Sequence, residues 1–187
     1  EGTWLDMCAG PGGKAAVLES LKPISKGELV CYEPNQKRAE LVSNALDKVH
    51  QSKVEVRSGQ SAPADSFDAI LLDAPCSGLG SLRRKPEARW RKSPEQLPEL
   101  TTLQSSLIDS AVKALKSGGY LMYATCSPLV AETNTQIRGL VERHPNMKLV
   151  DLPAILGALN PELKLNASRK TVQLWTHQHR TDAMFMA

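Results

Sequence analysis

Short apolar runs bounded by turn formers alternate along this chain with segments whose apolar positions recur at helical period. Strands are predicted near Thr3–Met7, Glu28–Tyr32, Lys53–Arg57, Phe67–Leu72, Gly119–Ala124 and Lys148–Leu152. Helices are predicted near Gly13–Leu21, Gln36–Val49, Leu100–Lys116 and Val130–Arg143. Gln36–Val49 carries Ala39, Val42, Leu46 and Val49 on one face. Leu100–Lys116 places Leu103, Leu107, Ala111 and Leu115 at four-residue steps, then meets Ser117-Gly118-Gly119, a usual helix stop.

Alternating strands and helices call for β-α-β units, and so for an α/β fold with a mostly parallel, doubly wound sheet covered on both faces. The stretch Gly157–Lys170 has weak periodicity and reads as a surface excursion. Thr171–Trp175 and Ala183–Ala187 then close the sheet as an antiparallel pair at the C-terminal end. The 187 residues fit one domain, read here as spanning 1–187. Both ends open or stop on strand-like runs, as in a fragment of a longer chain. No stretch is apolar for long enough to span a bilayer as a helix, which argues against a membrane protein.

The first turn of the sheet carries Cys8-Ala9-Gly10-Pro11-Gly12-Gly13-Lys14, where glycines let the backbone turn sharply and a ligand approach the main chain. A Walker A loop would need glycine at Cys8 and a hydroxyl residue at Ala15, so an ATPase is excluded. The dinucleotide pattern fails too, because Gly10 and Gly12 are followed by Gly13 and Ala15, which disfavours hydride transfer. A nucleoside ligand without a pyrophosphate remains, of which S-adenosyl-L-methionine is the common one. Glu33 ends the second strand about 20 residues on, where a carboxylate accepts both ribose hydroxyls. It competes there with a role as the N-terminal charge of helix Gln36–Val49.

Cys76 and Cys126 occupy matching places, each after an apolar run and inside a polar turn: Asp73-Ala74-Pro75-Cys76-Ser77-Gly78 and Ala124-Thr125-Cys126-Ser127-Pro128. Strand ends of open α/β sheets are where such folds keep their chemistry, so two thiols delivered there can face one substrate. Cys8 and Cys31 read instead as small buried hydrophobes. No C-x-x-C pair or zinc-finger spacing occurs, so neither a metal site nor a disulfide framework is expected, and reduced thiols point to a cytoplasmic protein.

A net charge of +3 decides nothing alone, but its distribution does. Arg83, Arg84, Lys85, Arg89, Arg91 and Lys92 face a single acid, Glu87, with Trp90 among them. Such a cluster is the footprint of a phosphate backbone, or else a solvated loop. Trp90 either stacks on a base or anchors the loop in the core, the commoner fate of a single Trp. Gly78-Leu79-Gly80 is expected to give the segment freedom to close.

These stretches resemble the RNA cytosine-5 methyltransferases, the Sun/Fmu-type 16S ribosomal RNA enzymes in particular. Leu5-Asp6-Met7-Cys8-Ala9-Gly10-Pro11-Gly12-Gly13-Lys14, Asp73-Ala74-Pro75-Cys76-Ser77-Gly78, Leu82-Arg83-Arg84-Lys85-Pro86-Glu87-Ala88-Arg89-Trp90, Tyr123-Ala124-Thr125-Cys126-Ser127-Pro128 and His179-Arg180-Thr181-Asp182-Ala183-Met184-Phe185 carry the likeness. It implies a Rossmann-like class I fold that binds S-adenosyl-L-methionine through Cys8 to Lys14, Glu33 and Asp73. It further implies an RNA partner, most plausibly ribosomal and of the small subunit, gripped by Arg83, Arg84, Lys85 and Arg89. The family's RNA-recognition segment before the first strand, and the NusB-like domain of the Sun type, are not found in these residues. Where the family typically has an Asp for the adenine amine, this chain has Gln60, whose amide oxygen can accept the same bond without charge.

The resemblance also implies that Cys126 attacks position 6 of the cytosine and that Cys76 helps break the covalent link afterwards. Residue types alone leave that order open, because DNA cytosine-5 methyltransferases attack with the Pro-Cys cysteine. Asp73 is then expected at the polar edge of the base, and Lys14 assists orientation or charge balance. The oligomeric state is not legible.

Overall fold

The computed structural model describes residues 2–21, 27–47, 54–57 and 62–187. They fall into two compact units, Glu1–Asp73 with Asp109–Met122, and Ala74–Ile108 with Tyr123–Ala187. Seven strands form the sheet, β1 (Thr3–Asp6), β2 (Glu28–Tyr32), β3 (Val54–Arg57), β4 (Phe67–Asp73), β5 (Leu115–Thr125), β6 (Val172–Gln173) and β7 (Phe185–Met186). Their order is β3-β2-β1-β4-β5-β7-β6. This is the α/β class and sheet that the alternation of runs predicted.

In the first unit β1 pairs in parallel with β2, Thr3 beside Glu28, and with β4, Trp4 beside Ala69, while β2 pairs in parallel with β3. The chain order reverses between β1 and β4, so their carboxyl ends flank the crevice where open α/β sheets bind ligands. Helices α1 (Gly13–Ser20) and α2 (Gln36–Leu46) follow β1 and β2. Asn35 caps α2 by accepting the Arg38 N–H at 3.1 Å. Its predicted face is buried at Ala39, Val42 and Leu46, and Val42 and Leu46 join a core with Ala9, Ala15, Leu29 and Cys31. Val49 lies outside the described residues.

Between β4 and β5 run the one-turn helix α3 (Ala88–Arg91) and the long α4 (Leu97–Ala114). The period of α4 is as predicted but its phase is shifted: Gln104, Ile108 and Ala111 are buried while Leu103 is exposed. A glutamine takes the inward place because its amide is used there, as described below. The helix also stops sooner than expected. Its last carbonyls, on Lys113 and Ala114, accept the N–H groups of Asp65 and Ser66, so no glycine cap is needed. Ser117-Gly118-Gly119 therefore belongs to β5, with Gly118 at φ 80°. A side chain on Gly119 would come within 2.9 Å of the Asp68 carbonyl, and Lys116 ties the strands by donating to Asp68 at 2.8 Å.

In the second unit β7 pairs antiparallel with β5 (Thr125 beside Phe185) and with β6 (Gln173 beside Phe185), giving the predicted closing pair in shortened form. Tyr123 and Phe185 pack edge to face at 6.3 Å between ring centres. Two expectations are corrected here. Residues 148–151 form no strand, because Asp151 caps a helix, α6 (Leu152–Leu159), by accepting the Ala154 N–H at 3.0 Å, with Pro153 in its first turn. The expected excursion from Gly157 thus begins as helix. The predicted helix Val130–Arg143 is broken into a 3-10 turn (Val130–Glu132) and α5 (Asn134–Arg143), with Thr133 at φ −126° and ψ −103° between them. A last short helix, α7 (Thr176–His179), precedes β7.

Candidate active site

The glycine loop after β1 is held by its neighbours in the first unit. Ala9 donates to the Tyr32 carbonyl at 3.0 Å, and Gly10 donates to Glu33 Oε2 at 3.1 Å. Arg38 returns from α2 to donate to the Gly10 carbonyl at 2.6 Å and lies 3.6 Å from Glu33. A Cβ on Gly10 would displace the Glu33 carboxylate and the Arg38 guanidinium that hold the loop. Gly12 sits at φ 106°, a conformation that disfavours any side chain. Around Gly13 nothing lies within 4 Å of an added Cβ, and Pro11, Gly13 and Lys14 are exposed, so the loop presents an open face.

Glu33 is buried, and its Oε1 accepts the Asn35 N–H at 3.0 Å. Capping of α2 falls to Asn35, while Glu33 joins the glycine loop to the first turn of that helix through Gly10, Asn35 and Arg38. Lys14 reaches across to Asp73 at the end of β4, Nζ to Oδ2 2.5 Å. Cys8 is poorly suited to attack, because burial first, then the carboxylates of Asp6, Glu33 and Asp73, push its thiol up to about 12. Cys31 is fully buried in the core. Gln60 lies outside the described residues.

Asp6 was not singled out by the sequence reading. It closes β1, is only 1% exposed, and neither carboxylate oxygen has a well-formed hydrogen bond among the described residues. Burial, then the nearby Asp73 carboxylate, raises its pKa to about 7, against a smaller opposing pull from Lys14. Its one sequence signal is a charge inside an apolar run. A buried acid with free lone pairs, beside Glu33 and Asp73, suits a ligand that brings positive charge.

The second unit holds the thiols. Cys76 and Cys126 Sγ atoms are 3.4 Å apart with no disulfide between them, and both cysteines are half-buried. The contact with Cys126, followed by burial, pushes the Cys76 thiol far above its ordinary value. Backbone bonds join the two turns on either side, Ala74 N–H to the Ala124 carbonyl and Gly80 N–H to the Cys126 carbonyl, each 2.9 Å. The predicted freedom at Gly78-Leu79-Gly80 is not found at Gly80. A Cβ there would lie 2.0 Å from the Ala183 carbonyl, so the glycine serves close approach and not motion.

The basic segment divides. Arg84 donates through Nε (2.8 Å) and Nη2 (2.5 Å) to Asp182, and Arg83 lies 3.7 Å from the same carboxylate. These contacts hold Asp182 below the usual carboxylate range, Arg84 having the larger effect. Lys85 and Arg89 are exposed. The expectation that Trp90 anchors the loop in the core is overturned. It is 80% exposed, because α3 buries none of its residues, and the Arg89 guanidinium lies 4.9 Å from the centre of its ring.

A parallel sheet reversing between β1 and β4, with a glycine loop after the first strand and an acid after the second, is the nucleoside-binding arrangement of α/β folds, and here it belongs to a methyltransferase. More narrowly, the chain belongs to the family described as 16S rRNA methyltransferase RsmB/F, which matches residues 1–187. It is 40% identical over 186 residues, its whole length, to a provisionally named methyltransferase of Mycobacterium tuberculosis, covering 40% of that protein. It is 42% identical over 151 residues to ribosomal RNA small subunit methyltransferase B of Shewanella oneidensis, covering 78% of this chain and 35% of that one. The crystal structure of PH0851 superposes on all of this chain and 42% of its own with a TM-score of 0.88 at 30% identity. The chain thus spans about two-fifths of the curated relatives it matches. S-adenosylmethionine is the methyl donor of this family, and the buried acid of Asp6 and the open loop fit its cationic groups. No helix of the described residues is long and apolar enough to cross a membrane.

Proposed function

We propose that this chain methylates position 5 of a cytosine in RNA, with small-subunit ribosomal RNA as substrate, through a covalent bond to Cys126. The reading rests on the 3.4 Å approach of two thiol sulfurs in a family of ribosomal RNA methyltransferases. S-adenosylmethionine, when bound, supplies an electrophilic methyl group. Asp6, Glu33 and the loop from Cys8 to Lys14 bind and orient it, and Lys14 balances Asp73.

Position 5 of cytosine is a poor nucleophile until a thiolate adds at position 6. Cys126 makes that bond, and the electron pair it pushes into the ring lets position 5 take the methyl. A water beside the base takes the position 5 proton, so the ring double bond re-forms and the Cys126 thiolate is expelled. Cys76, 3.4 Å from the Cys126 sulfur, is placed to act in the release step, and Cys126 is the attacking group. Asp73 serves the polar edge of the base, and Lys85 and Arg89 grip phosphates beside it. The target must be unpaired or flipped, since a stacked base is inaccessible. Free cysteines suit a reducing, cytoplasmic setting.

The test is trapping. Cys76→Ala should accumulate a protein–RNA adduct that survives denaturation, and Cys126→Ala should neither form the adduct nor transfer methyl. Normal methylation by Cys126→Ala would sink the covalent route. Bisulfite sequencing of ribosomal RNA from cells with and without the gene locates the base, and equal transfer to DNA would overturn the choice of RNA.

A further inference from the structure

Glu132 is 0% exposed at the end of the 3-10 turn before α5. An interior carboxylate is tolerated when donors occupy its oxygens, and here four do. Oε1 accepts the Ser77 N–H at 2.7 Å and the Gln104 amide at 3.1 Å. Oε2 accepts the hydroxyls of Ser77 at 2.6 Å and Ser127 at 2.5 Å. Its main-chain carbonyl accepts the Tyr123 hydroxyl at 2.9 Å.

The identity of those donors matters more than their number. Ser77 directly follows Cys76, and Ser127 directly follows Cys126. Gln104 also donates to the carbonyl of Pro75, the residue before Cys76, at 2.8 Å. The serine oxygens are 3.4 Å apart, the same spacing as the sulfurs one residue earlier. The backbone bonds between the turns fix Ala74 and Gly80 but not the residues between them. One carboxylate therefore ties together the middles of both thiol turns.

The geometry points to Glu132 as a positioning residue that fixes the distance between the Cys76 and Cys126 sulfurs, with Ser77 and Ser127 as its two arms. The inference deepens the two-thiol reading above and rests on it for its catalytic meaning. The Glu132 charge also contributes to holding the proton on Cys76, after the larger effects of Cys126 and burial. Without the tie, either turn can shift its sulfur independently, and proton sharing at 3.4 Å is lost.

Phenylarsine oxide reads the spacing without RNA or methyl donor. Its arsenic forms two As–S bonds while the oxide oxygen leaves as water with both thiol protons, and no oxidation state changes. The protein should bind the arsenical tightly, and Cys76→Ser should abolish that chelation. Ser77→Ala combined with Ser127→Ala should weaken it about tenfold, the scale of one or two lost buried hydrogen bonds. Its melting temperature should fall, because Glu132 Oε2 loses both donors, so chelation is read at a temperature where the variant stays folded. Glu132→Gln should restore near-parental chelation, because its amide oxygen can face Ser77 N–H and Gln104 while the serine hydroxyls turn to accept from its nitrogen. If the double variant does not fold, Ser127→Ala alone carries the measurement. Folded serine variants that chelate like the parent overturn the proposal. Weak chelation together with methyl transfer that needs neither cysteine would instead keep Glu132 as the spacer and remove the two-thiol chemistry.

Discussion

The sulfur of Cys126 lies 3.4 Å from that of Cys76, fifty residues earlier in the chain, and this contact is the largest of the effects that raise the Cys76 thiol. The two thiols should therefore differ sharply in reactivity. At neutral pH a limiting amount of iodoacetamide is expected to label Cys126 first. Cys8, with its thiol pushed up to about 12, should resist because almost none of it is ionised. Peptide mass mapping checks the order, and early labelling of Cys8 would contradict it.

Asp6 gives a prediction with two opposite signs. Its folded-state pKa of about 7 lies above the ordinary 3.8, so the folded protein holds a proton that the unfolded chain releases. Stability from this group is complete below about pH 4 and is lost as pH rises to about 7. Asp6→Asn should therefore stabilise the ligand-free protein at pH 8, by roughly 4 kcal/mol as an upper scale, and change little at pH 4. The same variant should bind S-adenosylmethionine at least about tenfold more weakly, having lost a charge-assisted partner. Urea melts at the two pH values and calorimetric titration separate the effects.

Asp6 also shows where sequence reading stops. The strand around it was legible, because Thr3–Met7 is a β-forming run before a glycine turn. Its carboxylate was not, since a lone charge in an apolar run does not reveal which groups surround it. Glu132 was hidden likewise inside an expected helix, where its inward turn depends on Ser77 and Gln104, both distant in sequence. The thiol pair was legible because each cysteine carries its own strand and turn. The end of α4 was misread because its carbonyls are satisfied by Asp65 and Ser66, partners that no local glycine rule can supply.

Glycines in the two units should respond oppositely to alanine. Gly13→Ala meets no atom within 4 Å and sits at the start of α1, so stability should hold or rise by about 0.5 kcal/mol. If the open loop receives the methyl donor, its affinity should fall nonetheless. Gly80→Ala would put a methyl 2.0 Å from the Ala183 carbonyl and 2.8 Å from that of Cys126, costing about 2–4 kcal/mol of stability. Thermal melts with and without the donor distinguish a binding glycine from a packing one.

The basic segment should separate into structural and RNA-binding parts. Arg84→Ala removes both bonds to Asp182, which α7 and β7 flank in the chain, and should lower the melting temperature. Lys85→Ala and Arg89→Ala remove exposed cations, so they should leave the melting temperature unchanged and weaken RNA binding. Each should also reduce the slope of log affinity against log salt by about 0.7, the value for one phosphate contact on a single strand. Trp90→Ala is the sharpest case. A ring 80% exposed contributes little to folding, so a large drop in melting temperature would contradict its position outside the core. Weaker RNA binding with an unchanged salt slope would identify the ring as a stacking surface, because stacking releases no counterions.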